Sequence, residues 1–166
     1  MDGCQHSDTD HDGKVSLRDM AKVDYEADTR ASFDAHDTDH DGYIDALAAT
    51  ASEAIGAVPE GEASHVLFTA HGLPTSHRGE PYRDQLEQTV EAVCRRLPSM
   101  PPSTLAFQSR VGPLEWTEPY AEDVIDRLGT EGLKHLVIVP VGFISDHLET
   151  AYELDMVLAA RAREAG

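Results

Sequence analysis

The run His135-Leu136-Val137-Ile138-Val139-Pro140-Val141-Gly142-Phe143 constrains the fold of this chain more than any other stretch. It is almost wholly apolar and rich in valine and isoleucine, which predicts a strand of a parallel sheet with both faces covered. It breaks at once into Ile144-Ser145-Asp146-His147-Leu148-Glu149-Thr150, where Ser145 or Asp146 suits a helix N-cap and Glu149 falls near the third helical position. In an open α/β sheet, chemistry collects where strands end and helices begin. Asp146, His147, Glu149 and Glu153 crowd that junction. Asp146, Glu149 and Glu153, spaced three and four apart, share one face of an α-helix, and like charges stacked in this way repel. A metal or a proton relay would account for them. The plainer alternative is a solvated first turn, where the helix dipole favours acids.

Two more strand-then-helix alternations precede this junction. The pattern predicts helices over Ile44–Ala57, Tyr82–Leu97, Tyr120–Leu128 and from about Asp146 to Arg163. Strands are predicted over His65–Ala70, Thr104–Gln108 and His135–Val141. Pro98, Pro101 and Pro102 stop the second helix, and Gly129 and Gly132 the third. Strands that alternate with helices imply a parallel sheet. The expected class is therefore α/β, a three-layer half domain with a short parallel sheet flanked by helices. Three strands make a narrow sheet, and the expectation is of a truncated domain.

Ahead of it stands an acidic segment of a different character. Residues 1–45 hold 13 acidic and 4 basic side chains. Asp8-Thr9-Asp10-His11-Asp12-Gly13 recurs 29 residues on as Asp37-Thr38-Asp39-His40-Asp41-Gly42. Asp8, Asp10, Asp12, Ser16 and Asp19 occupy the oxygen-ligand positions of a calcium loop, with Gly13 at its sharp turn. The first copy resembles an EF-hand or dockerin-like loop and is a candidate calcium site. The second copy has Ala48 where the last carboxylate should stand, and an acidic turn leading into the next helix is the simpler reading. The expected division is an acidic, mostly helical or loop segment at 1–42 and the α/β domain at 43–166.

The formal net charge of −18 excludes nucleic acid as a natural partner, because phosphate neutralisation needs clustered Lys and Arg. No stretch approaches the roughly 20 apolar residues of a membrane span, and no signal peptide is evident. Cys4 and Cys94 lack metal-binding spacing. The expected compartment is the cytoplasm.

From Tyr43 onward the chain resembles the C-terminal half of ferrochelatase, the family that inserts ferrous iron into a porphyrin in haem synthesis. Three ordered motifs carry the resemblance. The first is Leu67-Phe68-Thr69-Ala70-His71-Gly72-Leu73-Pro74 with Arg78-Gly79-Glu80-Pro81-Tyr82. The second is Phe107-Gln108-Ser109-Arg110-Val111-Gly112-Pro113 with Trp116 downstream. The third runs from Pro140 to Phe143, then from Ser145 to Thr150 and from Tyr152 to Asp155. The resemblance implies that His71 stands over the porphyrin as metal ligand or proton acceptor, with Glu149 opposite it. It implies that Asp146, His147 and Glu153 line a path for metal or protons, and that Leu73, Pro74 and Trp116 touch the porphyrin. Phe107 is a further candidate for apolar contact with the ring. Ferrous iron is then a substrate, and no cofactor is required.

The chemistry agrees. Two pyrrole N–H protons must leave before the metal is seated, which calls for a base at the macrocycle face. A neutral imidazole suits that task, and imidazole with carboxylate suits ferrous iron held loosely. The family fold has two α/β halves with the porphyrin between them, so a homodimer or a separate N-terminal half is expected to complete the site. Two other readings compete: a dimeric single-domain chelatase of the sirohydrochlorin type, and a non-catalytic calcium-binding module.

Overall fold

The computed structural model describes residues 43–77, 81–143 and 147–166. Its sheet is built around the strand that the sequence buries most completely. β1 (Ser64–His71) lies between β2 (Ser103–Gln108) and β3 (His135–Pro140), in the order β2-β1-β3, and both pairings are parallel. Val66 to Ala70 are buried without a break, as a central strand covered on both faces must be. β3, at an edge, buries only alternate residues, Val137 and Val139. Val141 N–H still donates to Thr69 O at 2.8 Å, so the pairing runs one residue past the strand.

Among the described residues, the longer helical segments around the sheet are α1 (Ile44–Gly56), α2 (Tyr82–Arg96), α3 (Ala121–Thr130), a π-helix (Glu149–Leu158) and α4 (Ala159–Ala165). Side chains alternate along β1, and the two resulting sets fall into two cores. Val66, Phe68 and Ala70 pack with Ala51 of α1, Leu86 and Val93 of α2, and Phe107 of β2. Leu67 and Ala106 pack with Val124 and Ile125 of α3 and with Leu154 and Leu158 of the π-helix. A fully buried side chain such as Phe68 contributes about 1.5–3 kcal/mol relative to leaving it in water. The expected three-layer α/β arrangement is the one observed. α2, following β1, covers one face, and α3, following β2, covers the other. In sheets wound this way, ligand sites lie outside the carboxyl ends of the strands, where the winding changes face.

Two expectations change. The last helix is not one α-helix from Asp146 to Arg163, because its first ten residues wind as a π-helix before α4 begins. Thr150 Oγ1 accepts from His147 N–H at 2.9 Å and donates to His147 O at 3.0 Å. Glu149 N–H donates to His147 Nδ1 at 3.1 Å. Ala151 N–H still makes an α-type bond to His147 O at 2.8 Å, so these side-chain bonds cap the start of the helix. At the far end, Ala159 N–H reaches back five residues to Leu154 O, the wide bonding of a form found mostly at functional sites. The second change concerns Phe107, which is 1% exposed and belongs to the core, so its ring is not free to touch a ligand.

Ser145, Asp146 and the acidic repeats, including Asp8, Asp10, Asp12, Ser16 and Asp19, lie outside the described residues. Among the described residues, no helix is long and apolar enough to cross a membrane.

Candidate active site

The site is assembled at the carboxyl ends of β1 and β2. His71 ends β1, Gln108 ends β2, and the two are register partners. By strand alternation both side chains fall on the α3 and π-helix face. Beyond His71 the chain must pass close beneath its neighbours. A Cβ on Gly72 would lie 3.2 Å from Gln108 O and 3.6 Å from the Trp116 ring. Glycine is what the passage permits.

β2 ends in a turn of unusual backbone. Ser109 has φ 67°, a left-handed conformation that costs a non-glycine residue about 1–3 kcal/mol. The turn brings Ser109 Oγ to 2.5 Å from Glu153 Oε2. Gln108 Nε2 donates to the same oxygen at 3.2 Å and to Glu149 O at 3.4 Å. These bonds, the hydroxyl one to a charged acceptor, offset part of the strain. They also fix the first turns of the π-helix against β2. Glu153 is therefore a braced carboxylate, while Gln108 and Ser109 are site residues to which the sequence reading gave no role. Their signal was the Phe107-Gln108-Ser109-Arg110 motif itself.

Glu149 projects from the start of the π-helix to His71, with Nδ1 2.9 Å from Oε2. With the carboxylate ionised and the imidazole neutral, the ring donates through Nδ1–H and its Nε2 keeps the lone pair. The two side chains remain 38% and 35% exposed, so the pair is open on one side. Tyr82, the first residue of α2, donates from Oη to His71 O at 3.0 Å and anchors the strand end from below. Burial, and secondarily the charge of Glu149, pushes the Tyr82 phenol above its usual value and keeps it a donor.

Two loops pair to form the flank. Pro74 and Trp116 form an antiparallel bridge. Thr117 N–H donates to Leu73 O at 2.8 Å, and Thr75 N–H to Glu115 O at 2.9 Å. The rung sets the Trp116 ring edge-on to His71, with centroids 6.3 Å apart. Leu73, Pro74 and Trp116 are all partly exposed beside the imidazole. His147 is exposed, stands edge-on to Phe143 at 4.7 Å, and turns its Nδ1 to the backbone. The structure thus brings together His71, Glu149, Glu153, Leu73, Pro74 and Trp116. It leaves His147 at the rim. Among the described residues, no group of three or more His, Cys, Asp and Glu side chains converges as a metal cluster, so His71 and Glu149 stand as a pair of donors.

The sequence matches known proteins over most of its length. The family model described as ferrochelatase matches residues 17–166, beginning ahead of the α/β domain boundary expected from composition. A ferrochelatase of Synechococcus sp. is 43% identical over 131 residues, covering 77% of this chain and 34% of the relative. One of Trichormus variabilis is 42% identical over 127 residues, covering 75% and 33%. One of Synechocystis sp. is 40% identical over 131 residues, covering 77% and 34%. The chain spans about a third of the length of these curated relatives.

Proposed function

The chain belongs to the ferrochelatase family, and from that premise we propose that it carries the metal-insertion site of a porphyrin ferrochelatase, acting on coproporphyrin or protoporphyrin in haem biosynthesis. One observation carries the reading: the 2.9 Å contact between His71 and Glu149, half open beside an indole at the end of the central strand. Ferrous iron is the second substrate. No resident cofactor enters the scheme.

The roles follow from the hydrogen bonding. With Nδ1–H engaged by Glu149, His71 Nε2 is the ring atom free to accept a pyrrole proton or to touch the incoming ion. The carboxylate fixes the tautomer and the orientation of the ring, as carboxylate partners do for metal-binding histidines. Once the imidazole is charged, Glu149 balances it across a short gap. Glu153, braced by Gln108 and Ser109, is the next acid along the helix, and Asp146 and His147 extend the path outward. Leu73, Pro74 and Trp116 supply the apolar flank for the macrocycle. Binding energy there would be available to distort the ring and expose its nitrogen lone pairs.

One wall cannot enclose a macrocycle, so a second copy of the chain or a separate half completes the pocket. The reaction is assigned to the cytoplasm. Calcium binding by Asp8, Asp10, Asp12, Ser16 and Asp19 is a separate proposal, which calcium calorimetry on the full chain tests.

The experiment on function is anaerobic titration with protoporphyrin and coproporphyrin, followed by ferrous iron. A Soret shift on mixing and a slower metal-insertion step in His71→Ala are expected. Equal insertion rates in wild type and His71→Ala would remove the assigned role.

A further inference from the structure

Gln108 is an unfavourable residue for the place it holds. It is 2% exposed, at the end of β2, and its Oε1 is buried with no hydrogen-bond partner among the described residues. A buried acceptor left unmet is destabilising, and an apolar side chain of the same length would avoid that. Core packing therefore does not account for the amide. Its donor end does. Nε2 donates to Glu153 Oε2 at 3.2 Å and to Glu149 O at 3.4 Å. A main-chain carbonyl can only accept, so the end of the amide that faces the π-helix is the nitrogen. Gln108 and His71 are register partners on adjacent strands, and both hold Glu149. His71 takes its carboxylate, and Gln108 takes its carbonyl and reaches four residues further along the helix to Glu153.

We infer that Gln108 is a positioning residue that selects the tautomer of His71: it holds the main chain of Glu149 level with the imidazole, so that the carboxylate meets Nδ1 and the neutral ring carries its proton there. A glutamate side chain is long and rotates freely, and it finds one ring nitrogen reliably only when its backbone is fixed. Which nitrogen of a histidine is protonated is set by the hydrogen bond that the other makes possible. An unpartnered neutral imidazole in water prefers its proton on Nε2, the atom that the proposed reaction needs bare. Ser109 also grips Glu153, but from the turn beyond the strand and not at Glu149 itself. The inference rests on the chelatase reading for its purpose, whereas the tautomer is measured with neither porphyrin nor iron present.

The test is long-range proton–nitrogen NMR of the labelled full chain, at a pH where the ring is neutral, with His71→Ala identifying the resonances. In the wild type the Nδ1–H form is expected to dominate. In Gln108→Met, which keeps the length of the side chain and removes its donor, the Nε2–H form becomes the majority. Ser109→Ala keeps the wild-type tautomer. Anaerobic single-turnover insertion should fall about tenfold or more in Gln108→Met. An Nδ1–H form retained in Gln108→Met overturns the proposal, and so does a wild type in which Nε2–H already dominates, a result that needs no variant to fold. Reversal in Ser109→Ala as complete as in Gln108→Met also overturns it, since any loosening of the helix would then suffice. A reversed tautomer with unimpaired insertion upholds the positioning and removes instead the role assigned to His71 Nε2.

Discussion

His71 Nδ1 and Glu149 Oε2 meet at 2.9 Å although 78 residues separate them in sequence. One arrives at the end of a strand and the other at the start of a helix, so the contact exists only when sheet and helix are docked. If the imidazole is the base, His71→Ala lowers ferrous insertion by about 10²–10⁴-fold. Glu149→Gln keeps an acceptor oxygen for Nδ1–H but loses the charge, and its rate falls between those of the wild type and His71→Ala. Anaerobic single-turnover rates on matched preparations order the three. A Glu149→Gln variant as fast as the wild type would exclude the carboxylate charge from the mechanism.

Tyr82 holds His71 through the backbone rather than the ring. Tyr82→Phe removes that hydrogen bond, and the expected loss is about 0.5–1.5 kcal/mol in urea unfolding. The phenol also sets an alkaline limit. Burial first, and Glu149 second, raises it above its ordinary 10.0. The unfolded chain therefore gives up this proton at lower pH than the folded one, and stability falls as pH rises beyond that ordinary value. Tyr82→Phe should flatten that decline. Parallel alkaline profiles for the two proteins would show that Tyr82 is not responsible.

Much of the fold was legible because burial leaves so few options. The strand expected at His65–Ala70 forms, but it takes the fully buried central place, while the apolar run from His135 that promised a strand covered on both faces lies at the edge and buries only alternate residues. That His71 and Glu149 share one pocket followed from motif resemblance and from the rule that strand ends gather chemistry, but the resemblance set the carboxylate opposite the imidazole, and the structure joins the two by a hydrogen bond. Less accessible was anything decided by a single hydrogen bond. The π winding shows in the bond from Ala159 N–H to Leu154 O, and nothing in the apolar spacing of that stretch distinguishes it from an α-helix. The left-handed Ser109 is equally silent, because its strain is supported by a carboxylate 44 residues away. Phe107 misled for the opposite reason. Aromatic character suits a porphyrin face and a core equally well, and strand alternation sent its ring into the core.

Gly129 reports how α3 and α4 pack. A Cβ on it would lie 2.5 Å from Ala165 O and 2.6 Å from Ala165 Cβ. Neither atom belongs to a flexible side-chain tip, so the two helices would have to part. Alanine gains up to about 1 kcal/mol in intrinsic helix propensity, and overpacking costs about 1–3 kcal/mol. Gly129→Ala should therefore be net destabilising, and Gly129→Val more so. Unchanged urea midpoints would mean that α4 does not rest on Gly129 in solution.

At the opposite end of the sheet, His65 sets an acid limit on stability. Its Nε2 lies 3.0 Å from Thr104 Oγ1. Burial is the main force holding its pKa below the ordinary 6.5, the positive charge of Arg127 adds to it, and Glu131 opposes both. Above that ordinary value the imidazole is neutral in both states, and the group contributes no pH dependence. As pH falls through it, the unfolded chain takes up a proton that the folded chain still refuses. The unfolded state is favoured, and stability declines until the folded imidazole also titrates. His65→Gln keeps a partner for Thr104 and has nothing to protonate. Urea unfolding of both proteins between about pH 7 and pH 5 isolates the effect, because every other titrating group is common to the pair. The wild type should lose stability relative to the variant as the solution is acidified, and a constant difference across that range would show that His65 does not carry the acid sensitivity.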